Sequence, residues 1–228
     1  MSASSRAADG RLDSRPDPQP TGTAPGPGVS RLDLGLGSEA LLAVPPGGPG
    51  PRPLLVFFHG AGGTAEQSLA AVGGPATARD VLVLAPTSAG TTWDLVAGGP
   101  GRDVAVLDAA LAQVFSSCAI SQVALSGFSD GGSYALSMGV ANGDLAAAVL
   151  AFSPGFMSSP GRYGRARFWI SHGTEDRVLP VDRCGRRVSA ELLADGYDVT
   201  YEEFTGGHVV TPDLVTAGLD WWLGAPAG

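Results

Sequence analysis

The 228-residue chain contains no lysine, only two cysteines and only three histidines, and just 16% of its residues are charged. Its net charge of −8 argues against a nucleic-acid partner, because a phosphate backbone would be repelled by such a surface. No stretch approaches the roughly 18 apolar residues that a membrane span needs. The N-terminus also lacks the basic-then-apolar layout of a secretion signal. We therefore expect a cytoplasmic protein without a membrane span.

The two cysteines, Cys118 and Cys184, form neither a metal-binding motif nor a disulfide framework. We interpret them as two unpaired thiols, although a bridge between them stays open because pairing depends on geometry. The length suits one large domain. Residues 1–28 contain almost nothing to bury, which predicts a disordered N-terminal tail followed by a single domain over residues 29–228.

Beyond the tail, short apolar runs alternate with amphipathic stretches. Residues 31–44 are predicted to form two strands with a turn near residues 35–38. Continuously apolar runs are typical of parallel strands buried on both faces, and they cover residues 54–58, 81–85, 123–127, 147–152 and 168–171. An alternating run at 198–204 suits an edge strand, and helices are predicted over 101–115, 131–141, 182–194 and 211–223. This order predicts an α/β protein with a doubly wound, mostly parallel sheet, whose ligands bind at the carboxyl ends of the strands.

The segment Gly127-Phe-Ser129-Asp-Gly131 fits the pattern G-x-S-x-G, directly after an apolar strand and before a helix. In that context the pattern predicts a nucleophile elbow, a turn so sharp that glycines must flank the serine. The turn would present the Ser129 hydroxyl above the sheet and the Asp130 backbone N–H, at the helix N-terminus, to a developing oxyanion. The alternative is a plain strand-to-helix turn.

A serine nucleophile needs a base, and the three histidines are His59, His172 and His208. The first two directly follow apolar strands, and we interpret them as buried residues that bond to the backbone. His208 lies in a glycine-flanked loop with little structural reason to be there, so we predict that it is the base. In elbow-type triads the acid comes between the serine and the histidine along the chain. Asp176 is the predicted acid and Glu175 the alternative.

The glycine-rich loop His59-Gly-Ala61-Gly62-Gly63 follows the first central strand. A loop with so few side chains lets backbone amides approach a substrate closely. We predict that the Ala61 N–H, or alternatively the Gly62 N–H, is the second oxyanion donor beside Asp130. Tight packing of the loop would also explain the glycines.

With these motifs in place, the chain resembles the phospholipase/carboxylesterase family of small serine esterases, which includes acyl-protein thioesterases. The resemblance rests on Phe57-Phe-His-Gly-Ala-Gly-Gly-Thr64, Gly127-Phe-Ser-Asp-Gly-Gly132, His172-Gly-Thr-Glu-Asp-Arg-Val-Leu-Pro-Val181 and Gly207-His208, and covers about residues 54–210. The family often has Gln after the nucleophile, where this chain has Asp130. The resemblance also suggests that Trp93 forms a wall of the substrate site; a packed core tryptophan is the alternative.

The resemblance implies an α/β-hydrolase fold and a serine hydrolase that acts on carboxylic esters or thioesters, of the carboxylesterase, lysophospholipase or thioesterase type. It implies a small-molecule ester substrate, no cofactor and no metal. Only about fifteen residues separate the apolar runs ending at 152 and beginning at 168, so we expect no substantial cap domain and an open site. The alternative function is a catalytically weak or inactive binding protein that keeps the hydrolase fold. The sequence does not indicate an oligomeric state.

Overall fold

A computed structural model describes residues 9–35, 38–48, 50–98 and 101–224 of the chain. Within these residues, eight strands form one sheet in the order β1-β2-β4-β3-β5-β6-β7-β8. The strands are β1 (Gly28–Asp33), β2 (Glu39–Val44), β3 (Arg52–Phe58), β4 (Leu82–Pro86), β5 (Ile120–Phe128), β6 (Ala146–Phe152), β7 (Arg167–Gly173) and β8 (Val199–Phe204). The helices are α1 (Ala65–Thr77), α2 (Asp94–Ala97), α3 (Arg102–Ser117), α4 (Asp130–Ala141), α5 (Gly185–Ala194) and α6 (Pro212–Leu223).

The sheet is parallel from β4 through β3, β5, β6 and β7 to β8, while β1 and β2 are antiparallel to their neighbours. This arrangement confirms the predicted doubly wound, mostly parallel sheet. The strand β8 lies at an edge, as its sequence predicts, and none of its six positions is fully buried. The predicted turn between β1 and β2 includes residues 36 and 37, which lie outside the described residues.

Helices cover both faces of the sheet. Apolar residues of α3, α4 and α5 form one buried cluster with one set of strand residues, and α1 and α6 form a second cluster with the other set. In β3, for example, Leu54, Val56 and Phe58 belong to the first cluster, whereas Leu55 and Phe57 belong to the second. Because side chains alternate across a strand, the continuous apolar run supplies both cores at once.

Two helices of the structure were not predicted. The longer one, α1, contains Gly73, Gly74 and Pro75, residues that disfavour a helix interior. Its start carries a capping box, in which Thr64 accepts the Gln67 N–H and the Gln67 side chain accepts the Thr64 N–H. That S/T-x-x-E/Q pattern is the sequence signal that identifies this helix.

Residues 9–27, which we call the N-terminal arm, differ from the prediction of a disordered tail. Leu12 is fully buried in the larger apolar cluster. The Asn142 side chain donates to the Gly10 carbonyl (2.7 Å) and accepts the Leu12 N–H (2.8 Å). The Arg11 guanidinium bonds both oxygens of Asp144 at 3.0 Å. One buried leucine and several long-range hydrogen bonds thus hold a segment whose composition predicts disorder.

In the described structure, the segment between β6 and β7 contains no helix and no strand of the sheet, so it does not form a cap domain. In the part of the chain that the structure describes, no helix is long and apolar enough to cross a bilayer. The two cysteines, Cys118 and Cys184, are buried and unpaired.

Candidate active site

The turn between β5 and α4 has the geometry expected of a nucleophile elbow. Ser129 has a φ of +59°, a region that non-glycine residues rarely adopt. A side chain at Gly127 or Gly131 would collide with backbone atoms, including the Phe58 carbonyl. The Ser129 N–H donates to the Phe152 carbonyl at 2.9 Å, which ties the turn to strand β6. Packing therefore requires both glycines of the motif and holds the serine in its strained conformation.

The structure brings Ser129, His208 and Asp176 together at the carboxyl edge of the sheet. His208 Nε2 lies 2.9 Å from Ser129 Oγ, and His208 Nδ1 lies 2.6 Å from Asp176 Oδ2. An ionised carboxylate can only accept, so Nδ1 carries the proton and Nε2 is left to accept the Ser129 O–H. The arrangement can therefore remove the serine proton while the carboxylate stabilises the resulting imidazolium.

Asp176 is fixed by its own loop. Its Oδ1 accepts the N–H groups of Val178 and Leu179, both at 2.8 Å. Burial by itself raises the pKa of Asp176, but the bonds from Leu179, His208 and Val178 outweigh it, so the pKa lies below its ordinary value. The carboxylate is therefore charged near neutral pH. The alternative acid, Glu175, is exposed, and the His208 contact is made by Asp176.

His172 lies beneath this carboxylate, a contact that the sequence reasoning missed. Its Nε2 donates to the Leu179 carbonyl at 2.7 Å, in agreement with the interpretation of a buried, backbone-bonded histidine. The same nitrogen lies 3.3 Å from Asp176 Oδ2, and both side chains are fully buried. The spacing of four residues across one tight loop was the available signal. Two histidines thus contact the same carboxylate oxygen from different sides.

His59 joins two loops at the same edge of the sheet. Its Nδ1 donates to the Gly60 carbonyl (2.8 Å), and its Nε2 accepts the Ser88 N–H (3.1 Å). Burial lowers the pKa of His59. These contacts are those of a neutral structural histidine, as the sequence suggests, and they hold the start of the glycine-rich loop.

The glycine-rich loop lies open beside Ser129, with Ala61 and Gly62 both exposed. The Gly62 N–H donates to the Thr91 carbonyl at 2.7 Å. That amide is already engaged, so Ala61 is the better candidate of the two for an oxyanion donor. At the adjacent helix N-terminus, the Asp130 carboxylate accepts the Thr92 hydroxyl at 2.6 Å. Thr92 thus provides a hydrogen-bond partner for the carboxylate that directly follows Ser129.

Trp93 does not form a wall of the substrate site. It is 1% exposed, its Nε1 donates to the His59 carbonyl at 2.9 Å, and its ring stacks on Tyr134 with centroids 4.9 Å apart. A residue so enclosed has no surface to offer a ligand. Its packing and hydrogen bond support the glycine-rich loop from behind, so the core alternative is the one that the structure shows.

Within the described residues, no three His, Cys, Asp or Glu side chains are grouped as the ligands of a metal ion would be. The elbow, the contacts of Asp176 with His208 and His172, and the glycine-rich loop lie together around Ser129. Together they form an arrangement that can carry out acyl transfer through a serine.

No protein-family model and no curated protein sequence matches the chain. Solved structures do match. The chain is similar to the esterase PE8, with a TM-score of 0.64 and 23% identity over 79% of this chain and 95% of PE8. It is also similar to the S-formylglutathione hydrolase FrmB from Staphylococcus aureus, with a TM-score of 0.70 and 13% identity over 88% of this chain and 99% of FrmB.

A third similar structure is the carboxylesterase from Bacillus cereus, with a TM-score of 0.65 and 17% identity over 83% of this chain and 95% of that chain. All three matches cover nearly the whole of the known protein at low sequence identity. Likeness of this kind establishes the architecture: the chain has the α/β-hydrolase fold.

Proposed function

We propose, from this α/β-hydrolase fold and its triad geometry, that the protein is a serine carboxylesterase, with thioesters as alternative acyl donors. Ser129 is the nucleophile, His208 the general base and Asp176 the orienting acid. The observation that carries the proposal is the unbroken pair of contacts, 2.9 Å from Ser129 Oγ to His208 Nε2 and 2.6 Å from His208 Nδ1 to Asp176 Oδ2.

In the first step Ser129 Oγ attacks the acyl carbon of the ester as its proton moves to His208 Nε2. The Asp176 carboxylate holds the imidazole in the required tautomer and stabilises its positive charge. The imidazolium then gives the proton to the leaving oxygen, so the alcohol departs and the acyl group stays on Ser129. In the second step His208 activates a water molecule, which releases the acid and restores the serine.

The tetrahedral intermediate carries a negative charge on the former carbonyl oxygen. We assign the backbone amides of Ala61 and Asp130 as its donors, since they belong to the exposed glycine-rich loop and to the first residue of α4. The N-terminus of α4 favours negative charge at this position. Loss of one such donor typically costs about 2.7–4 kcal/mol of transition-state stabilisation.

The test uses small chromogenic esters and an active-site label. The wild type is expected to hydrolyse p-nitrophenyl acetate and butyrate and to be labelled covalently by a fluorophosphonate probe. Ser129→Ala is expected to lose labelling and to lose about 10⁴-fold or more in kcat. Ser121→Ala is the matched control, because this exposed serine lies near the start of β5, at the end of the strand away from Ser129.

A wild type that neither hydrolyses these esters nor reacts with the probe would contradict the proposal. That outcome would favour the alternative of a binding protein that keeps the hydrolase fold. Hydrolysis that survives in Ser129→Ala would assign the activity to another group and would equally overturn the proposed mechanism.

A further inference from the structure

The two proposed oxyanion donors, the N–H groups of Ala61 and Asp130, belong to different loops. Neither N–H makes a hydrogen bond to the residues that the structure describes, so both remain able to donate to a ligand. A Cβ atom at Gly60 would lie 3.4 Å from the Ser129 Cβ, so the Gly60–Ala61 peptide passes directly beside the nucleophile. Because an oxyanion is stabilised by donors held in place before the reaction, the contacts that hold each donor matter for the rate.

The peptide group that carries the Ala61 N–H is held through its carbonyl. The Gly60 carbonyl accepts the Gly63 N–H at 2.9 Å and the His59 Nδ1–H at 2.8 Å. A trans peptide group is planar, with its N–H opposite its C=O, so two donors on the carbonyl fix the direction of the N–H. The first donor is therefore positioned within its own loop.

Thr92 lies in a short segment that is bonded to the glycine-rich loop through both of its neighbours. The Thr91 carbonyl accepts the Gly62 N–H at 2.7 Å, and the Trp93 Nε1–H donates to the His59 carbonyl at 2.9 Å. These two bonds hold the backbone on each side of Thr92 against the loop. The loop that carries the first donor thus also sets the position of the Thr92 side chain.

The second donor has a negative charge on its own side chain. Asp130 is the first residue of helix α4, so its N–H has no partner inside the helix. The free N–H groups at a helix N-terminus attract negative charge, whether this is the oxyanion of an ester or a nearby carboxylate. The Asp130 carboxylate therefore competes with the oxyanion for the same end of the helix.

The Thr92 hydroxyl gives this carboxylate a different partner. It donates to Asp130 Oδ2 at 2.6 Å, a distance typical of a hydroxyl bonded to a carboxylate. Among the described residues this is the one hydrogen bond that the Asp130 carboxylate makes. Both side chains are half-buried, so water screens the charge only in part. The bond therefore ties a charge beside the reaction centre to one defined place.

We propose that Thr92 is a positioning residue of the esterase reaction: its hydroxyl holds the Asp130 carboxylate at the segment beside the glycine-rich loop, so that the N-terminus of α4 stays free for the oxyanion. The inference rests on the proposed esterase function and deepens it. Thr92 acts through Asp130 and does not need to touch the ester. Its loss should slow both acylation and deacylation, because an oxyanion forms in each step, and should leave the binding of neutral ligands unchanged.

The first experiment measures kcat/KM for p-nitrophenyl butyrate in Thr92→Val, which removes the hydroxyl and keeps the branched shape. We expect a fall of about tenfold, smaller than the roughly 10²–10³-fold loss on removal of an oxyanion donor, because both N–H groups remain. Thr92→Ser keeps a hydroxyl and should recover most of the rate. Thr77→Val makes the same change at an exposed threonine at the end of helix α1 and is the matched control.

Two ketones of the same shape separate the oxyanion from substrate binding. Ser129 can add to 1,1,1-trifluoropentan-2-one to give a tetrahedral adduct with a negatively charged oxygen, as in the transition state. Its inhibition constant should rise in Thr92→Val by about the factor that kcat/KM loses, roughly tenfold. The inhibition constant of pentan-2-one, which forms no stable adduct, should stay unchanged.

A double-mutant cycle tests whether the effect passes through the charge of Asp130. Asp130→Asn removes that charge, and its own rate serves only as the reference for the double variant. Adding Thr92→Val to Asp130→Asn should change kcat/KM by less than about twofold, because no charge is left to reposition. A loss caused only by a disturbed loop would instead appear at full size on both backgrounds.

Three results would overturn the role of Thr92: wild-type kcat/KM in Thr92→Val, an equal loss on the Asp130→Asn background, or equal weakening of both ketones. In each case Ser129-dependent hydrolysis of the butyrate would leave the esterase proposal intact. A protein without any Ser129-dependent hydrolysis would lose both proposals.

Discussion

Two loops at the carboxyl edge of the sheet each bury a carboxylate that accepts backbone N–H groups, yet only one of them contacts the histidine beside Ser129. In the loop after β7, one oxygen of Asp176 takes the amides of Val178 and Leu179, and the other meets His208. In the connection after β4, Asp94 at the start of α2 accepts the Asp103 N–H (2.6 Å), and Asp103 in the first turn of α3 accepts the Asp94 N–H (2.8 Å).

The pKa of the buried carboxyl group is shifted in opposite directions at the two places. Hydrogen bonds overcome burial and lower the pKa of Asp176. Burial first, and then the charge of Asp103, raise the pKa of Asp94. A carboxylate that keeps one oxygen for a histidine can orient a base, whereas two carboxylates that accept each other's backbone amides only close a loop. Burial and amide contacts alone therefore do not identify a catalytic acid.

The largest expected effect separates the two candidates for the acid. Asp176→Asn should lower kcat on p-nitrophenyl acetate by about 10⁴-fold, because an amide favours the wrong tautomer of His208. Glu175→Gln, at the exposed neighbouring position, is the matched control and should keep wild-type activity. A large loss in Glu175→Gln with little loss in Asp176→Asn would reverse the assignment.

A smaller effect is expected beneath Asp176. His172→Ala removes the donor that lies against Asp176 Oδ2 and Leu179, so kcat should fall about tenfold with KM unchanged. His172→Gln retains an N–H donor and should recover part of the rate. If both variants keep full activity while unfolding at lower temperature, the contact with Asp176 has only a structural role.

The loop after β4 should respond in stability more than in rate. Asp103→Ala leaves the Asp94 and Ala89 amides without their acceptor, so the free energy of unfolding should fall by about 1–3 kcal/mol. The kcat should stay within about threefold of the wild type, since the Ser129–His208–Asp176 contacts do not involve this loop. Urea unfolding and ester hydrolysis measure the two quantities. A loss of rate as large as that of Asp176→Asn would show that Asp103 also serves catalysis.

The smallest effect is the opposite pH dependence of the two carboxylates. The lowered pKa of Asp176 contributes stability that is present above its ordinary value of 3.8 and is lost as pH falls through the folded-state pKa. The raised pKa of Asp94 contributes stability that is present below 3.8 and is lost as pH rises through the folded-state pKa.

Urea unfolding between about pH 3 and pH 7 can measure this difference. As pH rises through this range, the free energy of unfolding of Asp94→Asn should increase relative to that of the wild type. The free energy of unfolding of Asp176→Asn should decrease relative to that of the wild type. If the free energy of unfolding of the two variants changed with pH in parallel, the two carboxylates would have equivalent surroundings, which would contradict the opposite pKa shifts.

The sequence predicts most of the fold because its signals are local. The continuous apolar runs mark the central strands, and G-x-S-x-G marks the elbow at Ser129. Helix α1 was not predicted because Gly73, Gly74 and Pro75 disfavour a helix, although the Thr64–Gln67 capping box marks its start.

The features that the sequence did not predict depend on contacts between distant residues. The N-terminal arm is held by Asn142 and Asp144, about 130 residues away along the chain. The burial of Trp93 depends on Tyr134 and on the His59 carbonyl, which local composition does not indicate. A cavity of about 230 Å³ likewise combines the glycine-rich loop, helix α1, and the residues Phe128 and Val210 near Ser129 and His208.

The N-terminal arm adds an attachment at the C-terminal end of helix α4. The helix begins next to Ser129, and Asn142, directly after its last residue, bonds Gly10 and Leu12 of the arm. A chain trimmed to begin near residue 28, or clipped there by a protease, would lose that attachment and uncover the apolar surface that Leu12 covers. We therefore expect recombinant proteins lacking the arm to aggregate more readily.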